Sequence, residues 1–218
     1  MFRLIKKILE KKSICRSLQE IESRKFMIGS SSLEIGNFDL NKKSFFNFLE
    51  KKKNTKFFFS DTQKIKNKNY IKLDLEKKNS IKKKFDNILI FNVLEHVYDT
   101  DNAFNELKKI LNKNGKIFIS TPFLYQYHKA PKDYNRYTLD FFKEISNKHN
   151  LKIHYQNALG TGPFLASYCM LHGLVKKIYP INSILVFISI ILDCFLNIFS
   201  KNLKNIYSIC FFIIFKKK

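Results

Sequence analysis

The chain reads as one α/β domain built on a doubly wound, mostly parallel sheet. Three observations carry that reading. A strand–helix–strand unit occupies residues 85–122, strand-type and helix-type runs alternate along the chain, and 218 residues supply one substantial core with no linker to a second. Within the unit, residues 88–91 (ILIF) are a short, fully apolar run of buried-strand type. Thr100 or Asp101 can cap the helix that follows, with Ala103, Phe104, Leu107, Ile110 and Leu111 on one face, and Asn114-Gly115 stops it. Residues 116–120 (KIFIS) form the second strand, closed by Thr121-Pro122. A crossover of this length makes the two strands parallel neighbours, and ligands in such sheets sit beyond the strands' carboxyl ends. Residues 92–96 and 121–128 fall there.

The other elements follow in order. Phe2, Ile5, Leu9 and Ile8 pattern a short basic amphipathic helix, and this charged start has no apolar signal-peptide core. Residues 24–29 (RKFMIG) read as the first strand, followed by a serine-glycine loop at 30–36 and a helix at 41–53 with Phe45, Phe46 and Leu49 on one side. Residues 56–60 make a second strand ending at Asp61, and 70–73 a third ending at Asp74-Leu75. A helix at 140–149, a sixth strand at 151–158 and a last strand at 206–215 complete the domain, taken as 1–218.

An apolar helical insertion, 162–205, precedes the last strand. Residues 181–199 contain only Asn182, Ser183, Ser189, Asp193 and Asn197 as polar residues, enough apolar length to cross a bilayer. Asp193 would cost about 3 kcal/mol near the bilayer centre. A last strand completing the sheet must also return to the side of the domain. An in-plane or re-entrant helical hairpin, with lysines reaching anionic headgroups, reconciles these facts. The alternative is a buried helix pair or a dimer face.

Lys+Arg number 40 against 18 Asp+Glu, a formal net charge of +22. Such a field favours anionic partners, although the Lys-, Asn-, Ile- and Phe-rich composition also has the look of codon bias. The lysines are scattered, with no Arg-rich arm and no nucleic-acid module, so nucleic acid is an unlikely partner and an anionic membrane surface the better one. Cys15, Cys169, Cys194 and Cys210 are far apart, without C-x-x-C or a His pair at metal spacing. That points to a reducing, cytoplasmic setting, no metal, and cysteines serving as buried filler.

Val93-Leu94-Glu95-His96-Val97, the run Leu111-Asn112-Lys113-Asn114-Gly115, Thr121-Pro122-Phe123, His128, and Asp133-Tyr134-Asn135-Arg136-Tyr137-Thr138 occur in that order. Together they resemble the class I S-adenosylmethionine-dependent methyltransferases, in particular a broad bacterial group (methyltransferase type 11-like). The resemblance implies a Rossmann-like seven-stranded sheet of order 3-2-1-4-5-7-6, with helices on both faces and the last strand antiparallel.

It also implies S-adenosyl-L-methionine as cofactor. The methionine part would lie over the turn after the first strand, read here as residues 29–36, with Gly29 and Gly36 but no G-x-G core. Asp61 follows Gly29 by 32 residues and takes the place of the ribose-binding acid. Asp74 and Leu75 match the pair that meets the adenine, and Asn92, Val93, Leu94 and His96 lie under the sulfonium. On the acceptor side, His128 is the candidate base, Asp133 or Tyr134 its orienter, and Arg136 with Tyr134 the candidates for substrate binding. Alternatively Asp133 and Arg136 pair with each other and the tyrosines pack the loop. The expected activity is methyl transfer to a small-molecule, glycan or lipid-linked acceptor, at the cytoplasm or peripheral to the inner membrane face. A non-catalytic scaffold of the same fold in a membrane-associated complex is the competing reading, and oligomeric state is open.

Overall fold

A computed structural model describes residues 13–63, 65–129, 131–175 and 179–218. The amphipathic pattern at residues 2–9 lies outside them. Seven strands form the main sheet: β1 (Ser31–Ile35), β2 (Lys56–Asp61), β3 (Tyr70–Lys72), β4 (Phe85–Phe91), β5 (Leu111–Pro122), β6 (Leu151–Leu159) and β7 (Cys210–Lys217). Their order is β3-β2-β1-β4-β5-β7-β6, as expected. The first five run parallel, and β7 lies antiparallel between β5 and β6.

Both sheet faces are covered, which is why the central strands read as unbroken apolar runs. Along β4, Ile88 and Ile90 face one cluster with Phe104, Leu107 and Phe142, from helices α2 (Thr100–Ile110) and α3 (Leu139–Lys148). Leu89 and Phe91 face the other cluster. That side is covered by α1 (Ile14–Ser23) and by the hairpin α4 (Pro163–Val175) and α5 (Tyr179–Phe199). On β7, Phe211, Ile213 and Phe215 alternate with Phe212 and Ile214 between the same two cores. Asp99, one residue earlier than expected, caps α2 by accepting from the Asn102 N–H.

The strand β5 begins at Leu111, so α2 ends before the expected Asn114-Gly115 stop, and two expected elements before β2 are also corrected. The first core strand is Ser31–Ile35, not 24–29, where Met27–Ile28 pairs only with Glu50–Lys51. The strand was hidden by polar residues in buried places. Ser32 Oγ donates to the Gly29 carbonyl and accepts from Asn87, while Glu34 accepts from Ser44 Oγ at 2.5 Å and the Phe45 N–H at 2.8 Å. Those Glu34 bonds also explain the second correction. They fix a single 3-10 turn at Phe45–Asn47 in place of the helix at 41–53, although Phe45, Phe46 and Leu49 are buried as their pattern required.

The insertion is an antiparallel hairpin laid on the domain. Val186, Ile190 and Asp193 are buried on the inner face of α5. Asp193 caps α4: it accepts from Thr161 Oγ1 (2.5 Å) and the N–H groups of Phe164 (2.8 Å) and Leu165 (3.0 Å). Asn197 Nδ2 adds bonds to the Thr161 and Asp193 carbonyls. A Cβ at Gly162 would lie 2.7 Å from Asp193 Oδ1, so this cap needs glycine's small size. The acid that looked costly for a membrane helix is therefore committed inside the protein. A short helix, Leu203–Ile206, leads to β7, which starts at Cys210 rather than 206 because that turn intervenes.

Candidate active site

The site lies along the carboxyl edge of the parallel strands and turns on two residues with positive φ, Gly36 (+81°) after β1 and Asn92 (+55°) after β4. A Cβ at Gly36 would meet Val93 Cγ2 at 2.6 Å, so the close approach of the two turns requires glycine there. Asn92 holds its conformation through a reciprocal amide pair with Gln19 of α1, at 2.6 and 2.9 Å. Asparagine is among the few side chains that adopt this region readily.

One cleft of about 520 Å³ is lined by Gly36, Asp61, Asp74, Leu75, Asn92, Val93 and His96. These come from four strand ends, and all seven are residues named from sequence. Asp61 Oδ1 accepts from the Thr62 N–H at 2.7 Å, leaving Oδ2 for a ligand hydroxyl. Asp74 is held by the Glu76 N–H (3.1 Å) and Lys77 (3.3 Å). The volume is that of a nucleoside-sized site, and two carboxylates on one apolar-floored wall suit a ribose diol and an exocyclic amine.

Gly29 does not belong to this site. It precedes β1, at the opposite end of that strand, because the first strand starts later than the pattern suggested. Leu94 is also absent from the cleft lining: the 3-10 turn Leu94–His96 tucks its side chain fully into the core, and its carbonyl accepts from Tyr137 Oη.

Beyond Gly36 and Asn92 the cleft continues into a hollow of about 700 Å³ that includes Arg16, Asn37, Phe38, Lys43 and Phe45. Past Arg16 and Asn92 a smaller pocket of about 250 Å³ is bounded by Cys15, Glu95, Pro122, Tyr125, Gln126 and His128. Arg16, with its guanidinium carbon 3.5 Å from the Phe45 ring centre, borders both spaces. Sequence reasoning missed Arg16 and Gln19, and named Glu95 in the motif without giving it a role in the site. Ser13, which accepts from the Arg16 N–H as an N-cap, was the available signal for α1.

The segment after β5 is a strap locked over the β4 turn. The Tyr134 and Asn135 N–H groups donate to the Glu95 carbonyl, and Asn135 Nδ2 to that of Val97. Asp133 meets Arg136 in a two-pronged ion pair, at 2.5 and 2.7 Å, and accepts the His128 N–H at 2.8 Å. Arg136 also donates to the Gln126 and Asn135 carbonyls. Asp133 pairs with Arg136 and also stands 3.5 Å from His128 Nδ1, so the ion pair and the contact expected of an orienter occur together. The Arg136 fork is occupied by protein, and Tyr134 stands half-exposed edge-on to Tyr98.

His128 Nδ1 lies 3.3 Å from the Gln126 carbonyl, which can only accept. In the neutral ring that bond places the proton on Nδ1 and the lone pair on Nε2. His96 is set the same way by the Lys132 carbonyl at 2.5 Å, and burial lowers its pKa, so its ring is neutral at pH 7. Glu95 is fully buried, with neither carboxyl oxygen bonded to another residue. Burial pushes its pKa up to about 8, so it holds a proton at neutral pH. Glu95, His96 and His128 bring their donor atoms within 4.8 Å of one another, a cluster that sequence spacing did not reveal and that has the donor types to hold a cation. Of the cysteines, Cys15, Cys169 and Cys210 are buried, whereas Cys194 is exposed.

The sheet order, the cleft at its switch point and the paired strand-end acids define a class I S-adenosylmethionine-dependent enzyme. The chain belongs to the methyltransferase-domain family, whose model matches residues 15–157. It is 43% identical over 58 residues to a ubiquinone biosynthesis O-methyltransferase of Pelagibacter ubique (strain HTCC1062). That segment is 25% of this chain and spans only 24% of the relative's length. Among solved structures, it resembles an S-adenosylmethionine-dependent methyltransferase of Mesorhizobium loti (TM-score 0.52, 10% identity, 87% of this chain and 91% of that one). It also resembles phosphoethanolamine N-methyltransferase 2 of Haemonchus contortus bound to S-adenosyl-L-methionine (TM-score 0.54, 14% identity, 91% of this chain and 52% of that one). The residues present suit S-adenosyl-L-methionine as cofactor: a glycine-only approach at Gly36 and carboxylates at Asp61 and Asp74.

Proposed function

We infer that the protein transfers the methyl group to an oxygen of a small or lipid-linked acceptor. The observation that supports this best is His128, a ring with its Nε2 lone pair free, on the wall of the small pocket next to the Asn92 turn. The O-methyltransferase relative supports an oxygen acceptor.

When bound, S-adenosylmethionine supplies an electrophilic methyl and a thioether leaving group. Asp61 would hold the ribose hydroxyls and Asp74, with the Leu75 backbone, the adenine. Gly36 would give the methionine part its close approach, and Arg16, whose Nε pairs with Glu20 and whose Nη2 donates to the Lys43 carbonyl, would offer its remaining N–H groups to the carboxylate. His128 Nε2 takes the acceptor's hydroxyl proton as the oxygen attacks, while the Asp133–Arg136 pair holds the His128 backbone in place. Alignment of this kind contributes on the order of 7–11 kcal/mol to such a displacement.

The test is incubation with methyl-labelled S-adenosylmethionine and cell lipid and aqueous extracts. Label should enter a product that releases methyl iodide in hydriodic acid, the mark of an O-methyl group, and His128→Ala should abolish it. Label on nitrogen or carbon contradicts the oxygen assignment.

A further inference from the structure

The outer face of the α4–α5 hairpin is apolar where a surface helix is normally polar. Twelve of the twenty large apolar side chains exposed among the described residues belong to these two helices. On α5, Ile184, Phe187, Ile191, Phe195 and Ile198 recur at helical spacing, opposite the buried Val186, Ile190 and Asp193. Asn182–Phe199 has mean hydropathy 2.0 with only 17% of its residues buried. The outward stripe is about 22 Å long and continues onto α4 at Leu171 and Leu174. A monomer seldom leaves so large an apolar face in water.

Charge says what covers it. Residues 162–205 hold four lysines, Lys176, Lys177, Lys201 and Lys204, and one acid, Asp193, which is consumed in capping α4. Packing this face on a second copy would bring together two chains of net charge +22 each. An anionic bilayer complements both features at once. The inner stripe and the return into β7 keep α5 against the sheet, so it lies along the surface instead of crossing it.

The hairpin also adjoins the acceptor side. Gln126, on the wall of the small pocket, donates to the Met170 carbonyl of α4, and neighbouring Tyr127 is exposed. We propose that the α4–α5 face docks in the interface of an anionic membrane and sets the acceptor pocket at that surface, where it receives lipid-borne acceptors. The docking stands without the methyl-transfer reading, and only the acceptor clause rests on it.

Cys194, exposed on α5, takes an environment-sensitive fluorophore in the otherwise unaltered protein. Its emission should shift to the blue on vesicles containing about a third phosphatidylglycerol, with partitioning about tenfold tighter than to phosphatidylcholine alone. Shallow spin-labelled lipid should quench it more than deep, and salt should weaken binding without abolishing it. Ile191→Asp with Phe195→Asp should cut partitioning about tenfold or more. Ile198→Ser with Phe199→Ser is the milder pair, and retained stabilisation by S-adenosylhomocysteine shows that either variant is folded.

No partitioning by folded protein, partitioning that both pairs leave unchanged, stronger quenching by the deep label, or a dimer that buries the label without lipid would each overturn the docking. A protein that docks but is not stabilised by S-adenosylhomocysteine keeps the docking and loses the methyl-transfer reading. If it docks and is stabilised, yet labelled methyl enters only water-soluble acceptors, the acceptor clause alone falls.

Discussion

Asp133→Asn isolates the strap's ion pair with little change of shape. The Asp133 side chain is 1% exposed, both its oxygens meet Arg136, and one also accepts the His128 N–H. The Arg136 hydrogen bonds hold its carboxyl at about 2, against 3.8 for an ordinary aspartate. That gap corresponds to about 2 kcal/mol of stability. The carboxylate is favoured in the fold, so the contribution is complete above the ordinary value and is lost as pH falls through about 2. At neutral pH the variant should therefore lose about 2 kcal/mol, a Tm drop of about 4–8 °C for a domain of this size. Its stability should also fall less than the wild type's on going from pH 4 to pH 2. Thermal and urea melts across that range check both, with the S-adenosylhomocysteine shift as control. A loss below about 0.5 kcal/mol, or one that removes cofactor binding to the same degree, would refute the assignment of this pair to the acceptor-side strap.

Three further outcomes follow from the site. Gly36→Ala, at φ +81° with its Cβ 2.6 Å from Val93, should lose about 1 kcal/mol or more and most of the S-adenosylhomocysteine shift, read by calorimetry. Glu95→Gln removes a buried carboxyl whose pKa is raised to about 8. Wild-type stability carries a cost that grows from the unfolded value near 4.5 up to about 8, so the variant should gain on the wild type as pH rises through that window. Melts at pH 5 and pH 9 decide it, and a constant difference contradicts the buried, protonated carboxyl. His128→Ala should lower kcat at least about a hundredfold while cofactor affinity changes little; equal loss of cofactor binding and stability would make it a packing residue.

Much of this was legible in the sequence because the chemistry sits on strongly patterned elements. β4, α2 and β5 carry period and capping signals that local physics fixes, with Asn92 and His96 just after β4, while Asp61 ends β2 and Asp74 follows β3. Ser31–Ile35 was misplaced because its polar residues are satisfied only by distant partners: Glu34 by Ser44 and Phe45, Ser32 by Asn87. With that strand went the turn: read at residues 29–36 with Gly29 as its candidate, it faces the cleft only at its far end, Gly36. The Glu95–His96–His128 cluster needs the strap folded back over the β4 turn, a contact no spacing encodes. Asp193 looked like a membrane liability for the same reason, since its partners lie some thirty residues earlier in the chain.

The central claim is that the cleft between Gly36, Asp61, Asp74 and Asn92 holds the methyl donor. Titration with S-adenosylhomocysteine in a chelator tests it most directly. At about a hundred times the dissociation constant the ligand should add about 2.7 kcal/mol, a Tm rise of about 5–10 °C. Asp61→Ala should reduce that rise, and the chelator should leave it unchanged, because Asp61 and Asp74, and not the Glu95–His96–His128 cluster, supply the proposed ribose and adenine contacts. Folded wild-type protein that shows no shift at millimolar ligand, or a shift that Asp61→Ala leaves intact, would contradict the account.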